Sequence, residues 1–158
     1  MIRKAQLEDA EGIAKVHVES WRTTYKGILP KDYLTNLSLE SRTEVWKSNL
    51  ADEANYILVV ENKESEIIGF SAAQKDEHKN IGYLTSIYLI EEYQGKGIGK
   101  ELLKQLFQHF NQMECKKVFV DVLEDNDTRY LYEYYGALLV ETKQIKRGHT
   151  KLNELIYQ

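Results

Sequence analysis

The chain is poor in the residues that build cross-linked, metal-organised or nucleic-acid-binding proteins. Its one cysteine, Cys115, excludes an internal disulfide framework and fits a reducing compartment. The four histidines and Cys115 stand at no metal-ligand spacing, so no metal is expected. Basic runs are missing, and 21 Lys+Arg against 25 Asp+Glu leave a net charge of −4, without the electrostatic footprint of a nucleic-acid binder. No apolar stretch reaches membrane-spanning length, and Met1-Ile2-Arg3-Lys4 opens onto an amphipathic pattern rather than the apolar segment of a signal peptide. A cytoplasmic protein without a membrane partner is therefore expected. Proline occurs once, at Pro30, and no internal repeat or low-complexity segment is present.

What is present is enough for a core. A chain of 158 residues predicts one domain, 1–158, burying about two thirds of its unfolded surface without disulfides or metals. Ile2 to Gln6 reads as a short strand. Ala10, Ile13, Ala14, His17 and Trp21 recur at helical spacing, and Lys26-Gly27-Ile28-Leu29-Pro30 breaks that helix. A second helical region carries Leu34, Leu37, Val45, Trp46 and Leu50, with Ser38 as an N-cap. Tyr56 to Glu61 and Glu66 to Gln74 read as strands about the polar turn Asn62 to Ser65. Lys117 to Val122 is a strand, a helix capped within Asp125, Asn126 and Asp127 runs through Tyr135 to the stop at Gly136, and Leu138 to Lys143 and Lys151 to Tyr157 are closing strands. The order is β-α-α-β-β-β-α-β-α-β-β, an α/β chain with mixed strand pairing.

The chain is organised around Ile81 to Asn111. A strand-length run ending Ile87-Tyr88-Leu89-Ile90 passes into a turn holding Gln94, Gly95, Lys96, Gly97, Ile98, Gly99 and Lys100, and a helix follows with Ile98, Leu102, Leu103, Leu106, Phe107 and Phe110 on one stripe. The first N–H groups of a helix lack intrahelical partners and carry roughly half a positive charge. Glycine admits an anion close to the backbone, so a phosphate or pyrophosphate is the expected ligand. A P-loop needs glycine where Gln94 stands and a hydroxyl where Glu101 stands. A dinucleotide fingerprint is met by Gly95 and Gly97 but has Lys100 for its third glycine, and its strand should open a βαβ unit rather than lie in mid-chain. The pattern Q-x-x-G-x-G is met by Gln94, Gly97 and Gly99.

That pattern resembles the pyrophosphate-binding segment of the GNAT superfamily of N-acetyltransferases, which bind acetyl-coenzyme A. The element order is similar to the family's over essentially the whole chain, and the resemblance implies a mainly antiparallel central sheet flanked by helices. Leu123 to Ala137 is similar to the family stretch N-x-x-A-x-x-[FL]-Y-E-x-x-G, with Leu131, Tyr132, Glu133 and Gly136 in place. It departs at two positions: the asparagine slot falls on Asp125 with Asn126 one residue late, so either could be cap and coenzyme contact, and the alanine slot is Thr128. The resemblance implies that Tyr132 is the proton donor to the departing thiolate. A tyrosine, with pKa near ~10, is protonated at neutral pH and suits that task. It further implies that the pantetheine arm pairs with the backbone near Tyr88 and Leu89, where strands splay, as an added strand, that the pyrophosphate sits on the N–H groups from Gln94 to Lys100, with charge from Lys96 and Lys100, and that Trp21 and Tyr25 line the acceptor pocket.

The expected activity is acetyl transfer from acetyl-coenzyme A, as co-substrate, directly to a primary amine of a small molecule or protein, since no nucleophile for a covalent intermediate is visible. An alkyl amine of pKa ~10.4 is about 3.4 pH units from neutrality at pH 7, a cost of about 4.6 kcal/mol unless a base assists. Many relatives carry a glutamate on the central strand, and here that slot is Tyr83, a weak substrate contact. Asp76, Glu77 and His78, or a water chain through Thr85 and Ser86, are the substitutes open at this point. The missing glutamate keeps a non-catalytic acyl-coenzyme A sensor of the same fold as an alternative. His17 is expected in the core, His109 on the surface, His149 in a turn, and Cys115 as an inert thiol. The family resemblance leaves homodimerisation open without specifying an interface.

Overall fold

The computed structural model describes residues 1–76, 78–124, 126, 128–134, 136–147 and 150–157, with only the backbone described for 123, 128, 146, 147 and 150–157. Glu77, Asp125, Asp127, Tyr135 and His149, all named above, lie outside the described residues. In chain order the elements are β1 (Ile2–Lys4), a 3-10 turn (Leu7–Asp9), α1 (Ala10–Thr24), α2 (Lys31–Thr35), α3 (Leu39–Ala51), β2 (Asn55–Glu61), β3 (Ile67–Asp76), β4 (Ile81–Leu89), a 3-10 turn (Glu91–Tyr93), α4 (Ile98–Gln112), β5 (Lys117–Leu123), α5 (Thr128–Tyr134), β6 (Leu139–Arg147) and β7 (Thr150–Tyr157).

The strands form a seven-stranded sheet in the order β1-β2-β3-β4-β5-β7-β6. Among the described pairings β4 with β5 is parallel and the rest are antiparallel. Alternation along β2 sends Ile57 and Val59 to one face and Leu58 and Val60 to the other, and each face has its own helical cover. On one, Ala10, Ile13 and Ala14 of α1 and Trp46 of α3 close over Val59, Phe70 and Ala72. On the other, Leu102, Leu103, Leu106 and Phe110 of α4 bury against Val60, Ile68, Leu84 and Val120. The apolar stripe of α4 is thus the stripe its spacing predicts.

The second helical region is divided into α2 and α3, and the second part starts at the expected N-cap, Ser38. The guanidinium of Arg22 donates to the carbonyls of Leu34 (3.0 Å), Thr35 (3.3 Å) and Leu37 (3.2 Å), taking up acceptors that a continuing helix would use itself. Ser38 then adopts an extended backbone and its Oγ accepts the Ser41 N–H at 3.1 Å, starting α3 afresh.

The sheet parts at its centre. β4 and β5 are paired from Ile81↔Lys117 to Leu84↔Val120, whereas β4 runs on to Leu89 beside β3 alone. Beyond Val120, β5 continues with β7 as its partner. A bulge between Ala72 and Ala73 leaves Thr85 unpaired in register, its Oγ1 donating to Ala72 O at 3.1 Å. The strands therefore diverge just where β4 approaches the glycine turn.

Candidate active site

The turn after β4 is built to leave amides unused. Gln94 braces it: its N–H donates to Glu91 O at 3.0 Å, and its side-chain amide donates to Leu89 O at 2.9 Å. The Gln94 amide, expected among those facing an anion, is therefore already spent. Gly95 (φ +75°) and Gly97 (φ +84°) occupy the left-handed region, and no atom lies within 4 Å of where a Cβ on either would stand. Glu101 is the first residue of α4 to bond backwards, to Gly97 O at 3.2 Å. Among the described residues the N–H groups from Gly95 to Lys100 have no backbone acceptor. Open space in front of unspent amides at the N-terminus of a 15-residue helix fits a phosphate or pyrophosphate. Lys96 and Lys100 flank it, each ammonium 5.4 Å from a ring centroid, of Tyr93 and Tyr134 respectively.

From this turn a cavity of about 190 Å³ extends along β4, walled by Ser20 and Thr24 of α1, by Ile87, Tyr88 and Leu89, by Gly95 and Gly99, and by Leu131 and Asn126. Its aromatic border is tied together. Trp21 Nε1 donates to the Tyr88 hydroxyl at 2.8 Å, the Trp21 and Tyr25 rings stand 4.6 Å apart, and Asn126 Nδ2 donates to the Tyr25 hydroxyl at 3.1 Å. His17 stacks on Tyr88 at 5.4 Å, and its Nδ1 accepts the Trp46 indole N–H at 3.1 Å. Burial, aided by the charge of Arg42, lowers its pKa to about 4, so this imidazole is neutral at pH 7 and no proton acceptor of strength. Trp21 and Tyr25 thus brace the α1 wall against Tyr88.

Tyr132 is buried on α5 among Leu102, Val120 and Val122 and borders a second cavity, of about 250 Å³, toward Phe107 and Val118. Burial first, and then the neighbouring phenols of Tyr88 and Tyr25, push its pKa well above the ordinary tyrosine value. Its hydroxyl keeps its proton at neutral pH.

A third cavity, of about 290 Å³, lies over the uncovered part of the sheet and is lined by Gln74, Tyr83, Leu84, Thr85, Phe119 and Asp121. Tyr83 stacks on Phe119 across the β4–β5 pair at 6.1 Å. Asp121 is a carboxylate exposed on an interior strand, one residue past the last β4–β5 pair. Partial burial holds its pKa above the usual carboxylate value, with Lys143 opposing and Glu141 adding to the rise. Sequence reading passed over it, though a lone acid in Val-Phe-Val-Asp-Val was the available signal. Asp76 and His78, offered above as bases, sit at the wrong end of β4: from Ile81 to Thr85 is about 13 Å at ~3.3 Å per residue, and the Asp76 carboxylate accepts the His78 N–H at 3.0 Å. His109, expected on the surface, is half-buried and stacked on Tyr56 at 3.7 Å. Among the described residues no group of three or more His, Cys, Asp or Glu side chains is placed to hold a metal.

Comparison with known proteins bears on this arrangement. The model of the acetyltransferase (GNAT) family matches residues 17–136. The uncharacterized N-acetyltransferase YuaI of Bacillus subtilis (strain 168) is 34% identical over 157 residues, covering 98% of this chain and 89% of that one. The spermidine N(1)-acetyltransferase of Thermoplasma acidophilum is 28% identical over 147 residues, covering 89% of this chain and 88% of the relative. Among solved structures, the PaiA N-acetyltransferase of Thermoplasma acidophilum in complex with coenzyme A superposes with a TM-score of 0.75 at 26% identity, covering 98% of this chain and 96% of that one.

Proposed function

Because this chain belongs to the acetyltransferase (GNAT) family and is an N-acetyltransferase that uses acetyl-coenzyme A, we propose that it transfers the acetyl group directly to a cationic primary amine, with the glycine turn, Tyr132 and Asp121 as its working parts. The observation that carries this reading is the parting of β4 from β5 after Leu84↔Val120, which leaves Thr85 to Leu89 without β5 as partner ahead of a turn whose amides from Gly95 to Lys100 are unspent. An extended arm laid along Thr85 to Leu89 has strand-edge groups to pair with, while its diphosphate end faces the amides.

Acetyl-coenzyme A supplies a thioester carbon that an unprotonated amine can attack, with the C–S bond breaking as the amide C–N bond forms. Asp121 provides the acceptor side with a carboxylate that attracts an ammonium and receives the proton the amine must lose, directly or through one water. Tyr83 and Phe119 offer ring faces to the same cation. On the donor side, the protonated Tyr132 hydroxyl is the group assigned to the departing sulfur. Its pKa stands far above the ~8.5 of a thiol, so a hydrogen bond that stabilises the thiolate is its natural contribution, rather than outright proton release. Relatives named for spermidine make the terminal amine of an aliphatic polyamine the acceptor to try first. A base and a donor at opposite sides of the parted strands favour turnover over mere sensing of acyl-coenzyme A.

Gly97→Glu tests the assignment, because a side chain forced into the left-handed region would place a carboxylate where the diphosphate belongs. Calorimetry should find coenzyme A binding lost in this variant, with thiol release from acetyl-coenzyme A and spermidine abolished. Unchanged binding would remove the turn from the site.

A further inference from the structure

Ser20 is 5% exposed, and its hydroxyl has no hydrogen-bond partner among the described residues. A buried hydroxyl without a partner costs about 1–3 kcal/mol. Hydroxyls within helices usually avoid that cost by bonding back to the carbonyl four residues earlier. Thr23 does so to Glu19 O at 3.0 Å and Thr43 to Leu39 O at 2.8 Å, whereas Ser20 does not. Ser20 is one of the residues lining the 190 Å³ cavity between α1 and β4, and Thr24, one turn on, lines the same wall. The facing wall is largely apolar, formed by Ile87, Leu102 and Leu131, and the nearby Leu89 carbonyl is already taken by Gln94. The volume equals roughly six water molecules' share of liquid.

We infer that Ser20 is a coenzyme-binding residue, its hydroxyl hydrogen-bonded to an amide of the pantetheine arm where that arm passes between α1 and β4. The inference rests on the acetyl-coenzyme A reading and adds to it a polar contact from the helical wall. An amide in the arm offers both a carbonyl and an N–H, and a hydroxyl can serve either. Ser20 then fixes the position of the arm along β4, and with it the reach of the thioester toward Tyr132 and Asp121. Ser71 is the informative contrast, being equally without a partner on β3 but not lining this cavity.

Two ligands separate the arm from the nucleotide: coenzyme A itself, and adenosine 3′,5′-diphosphate, which carries the nucleotide end but no pantetheine. In calorimetric titrations Ser20→Ala should weaken coenzyme A roughly 3–10-fold, the size of one neutral hydrogen bond, and leave adenosine 3′,5′-diphosphate unchanged. Ser71→Ala should leave both unchanged. Without ligand, Ser20→Ala should melt no lower than the parent protein, since it removes an unpaired buried group. Equal affinity of parent and Ser20→Ala for coenzyme A overturns the assignment, as does an equal loss for both ligands. A parent protein that binds neither ligand overturns the coenzyme reading itself.

Discussion

In the proposed mechanism two side chains divide the proton chemistry, and each is set by its surroundings. Tyr132 is held protonated by burial and by the phenols of Tyr88 and Tyr25, while Asp121 lies in a cleft open enough to ionise yet closed enough to raise its pKa. The groups facing Asp121 are Lys143, which favours the carboxylate, Glu141, which opposes it, and Tyr83 across the cleft. Rate should therefore fall on the acid side as Asp121 gains its proton, and Asp121→Asn should flatten that limb while costing about 10²-fold or more in kcat. Tyr132→Phe should lower kcat by about 10²-fold at every pH, keep coenzyme affinity and leave the acid limb in place. Rate profiles of the two variants against pH distinguish these roles, and an acid limb surviving in Asp121→Asn would dismiss the carboxylate. Tyr132 is proposed because α5 carries a motif, whereas no motif points to Asp121 or Ser20. Their meaning comes from an absence of cover or of partners, which no letter records.

At the scale of elements, the strand, glycine turn and helix from Ile81 to Gln112 were readable because each obeys a local rule: β-rich residues, then glycines that accept positive φ, then a 3.6-residue apolar period. Less legible was why Gly82 stands inside β4. A Cβ there would lie 2.5 Å from the Phe110 ring, so the missing side chain lets α4 settle onto the sheet. Gly82→Ala should push α4 outward and destabilise the fold by about 1–3 kcal/mol, seen as a lower midpoint in urea with an unchanged slope. Paired substitution with Phe110→Leu should recover part of that loss. The start of α3 was marked by its N-cap Ser38, but the end of α2 was not, because it depends on Arg22, twelve residues before the Leu34 carbonyl it binds. Periodicity does not report such contacts.

For the whole molecule, the order of elements was readable, but the order of strands in space was not. Nothing in the letters says that β7 lies between β5 and β6, and the parting of strands near Tyr88 and Leu89 was expected from the family resemblance alone. The sheet's first edge is secured by Arg3, whose guanidinium holds both carboxylate oxygens of Asp9 at 2.8 and 2.9 Å and also pairs with Glu61. The hydrogen bonds from Arg3 lower the pKa of Asp9, so this contribution is complete above the unfolded carboxylate pKa near ~3.9 and is lost as pH falls through the lower folded value. Asp9→Asn should cost about 1–3 kcal/mol at pH 7 and progressively less toward pH 2, measured by chemical denaturation across that range. An equal cost at both ends would mean that the ion pair contributes nothing.

The divergence of β4 from β5 has one more effect. The ladder from Ile81↔Lys117 to Leu84↔Val120 is a short seam, and everything on its two sides is otherwise linked through helices and connecting chain. An occupant lying in that cleft would become a temporary eighth strand, lending the enzyme rigidity while it waits to be consumed. The molecule would then be stiffest with the arm in place and looser once the coenzyme departs.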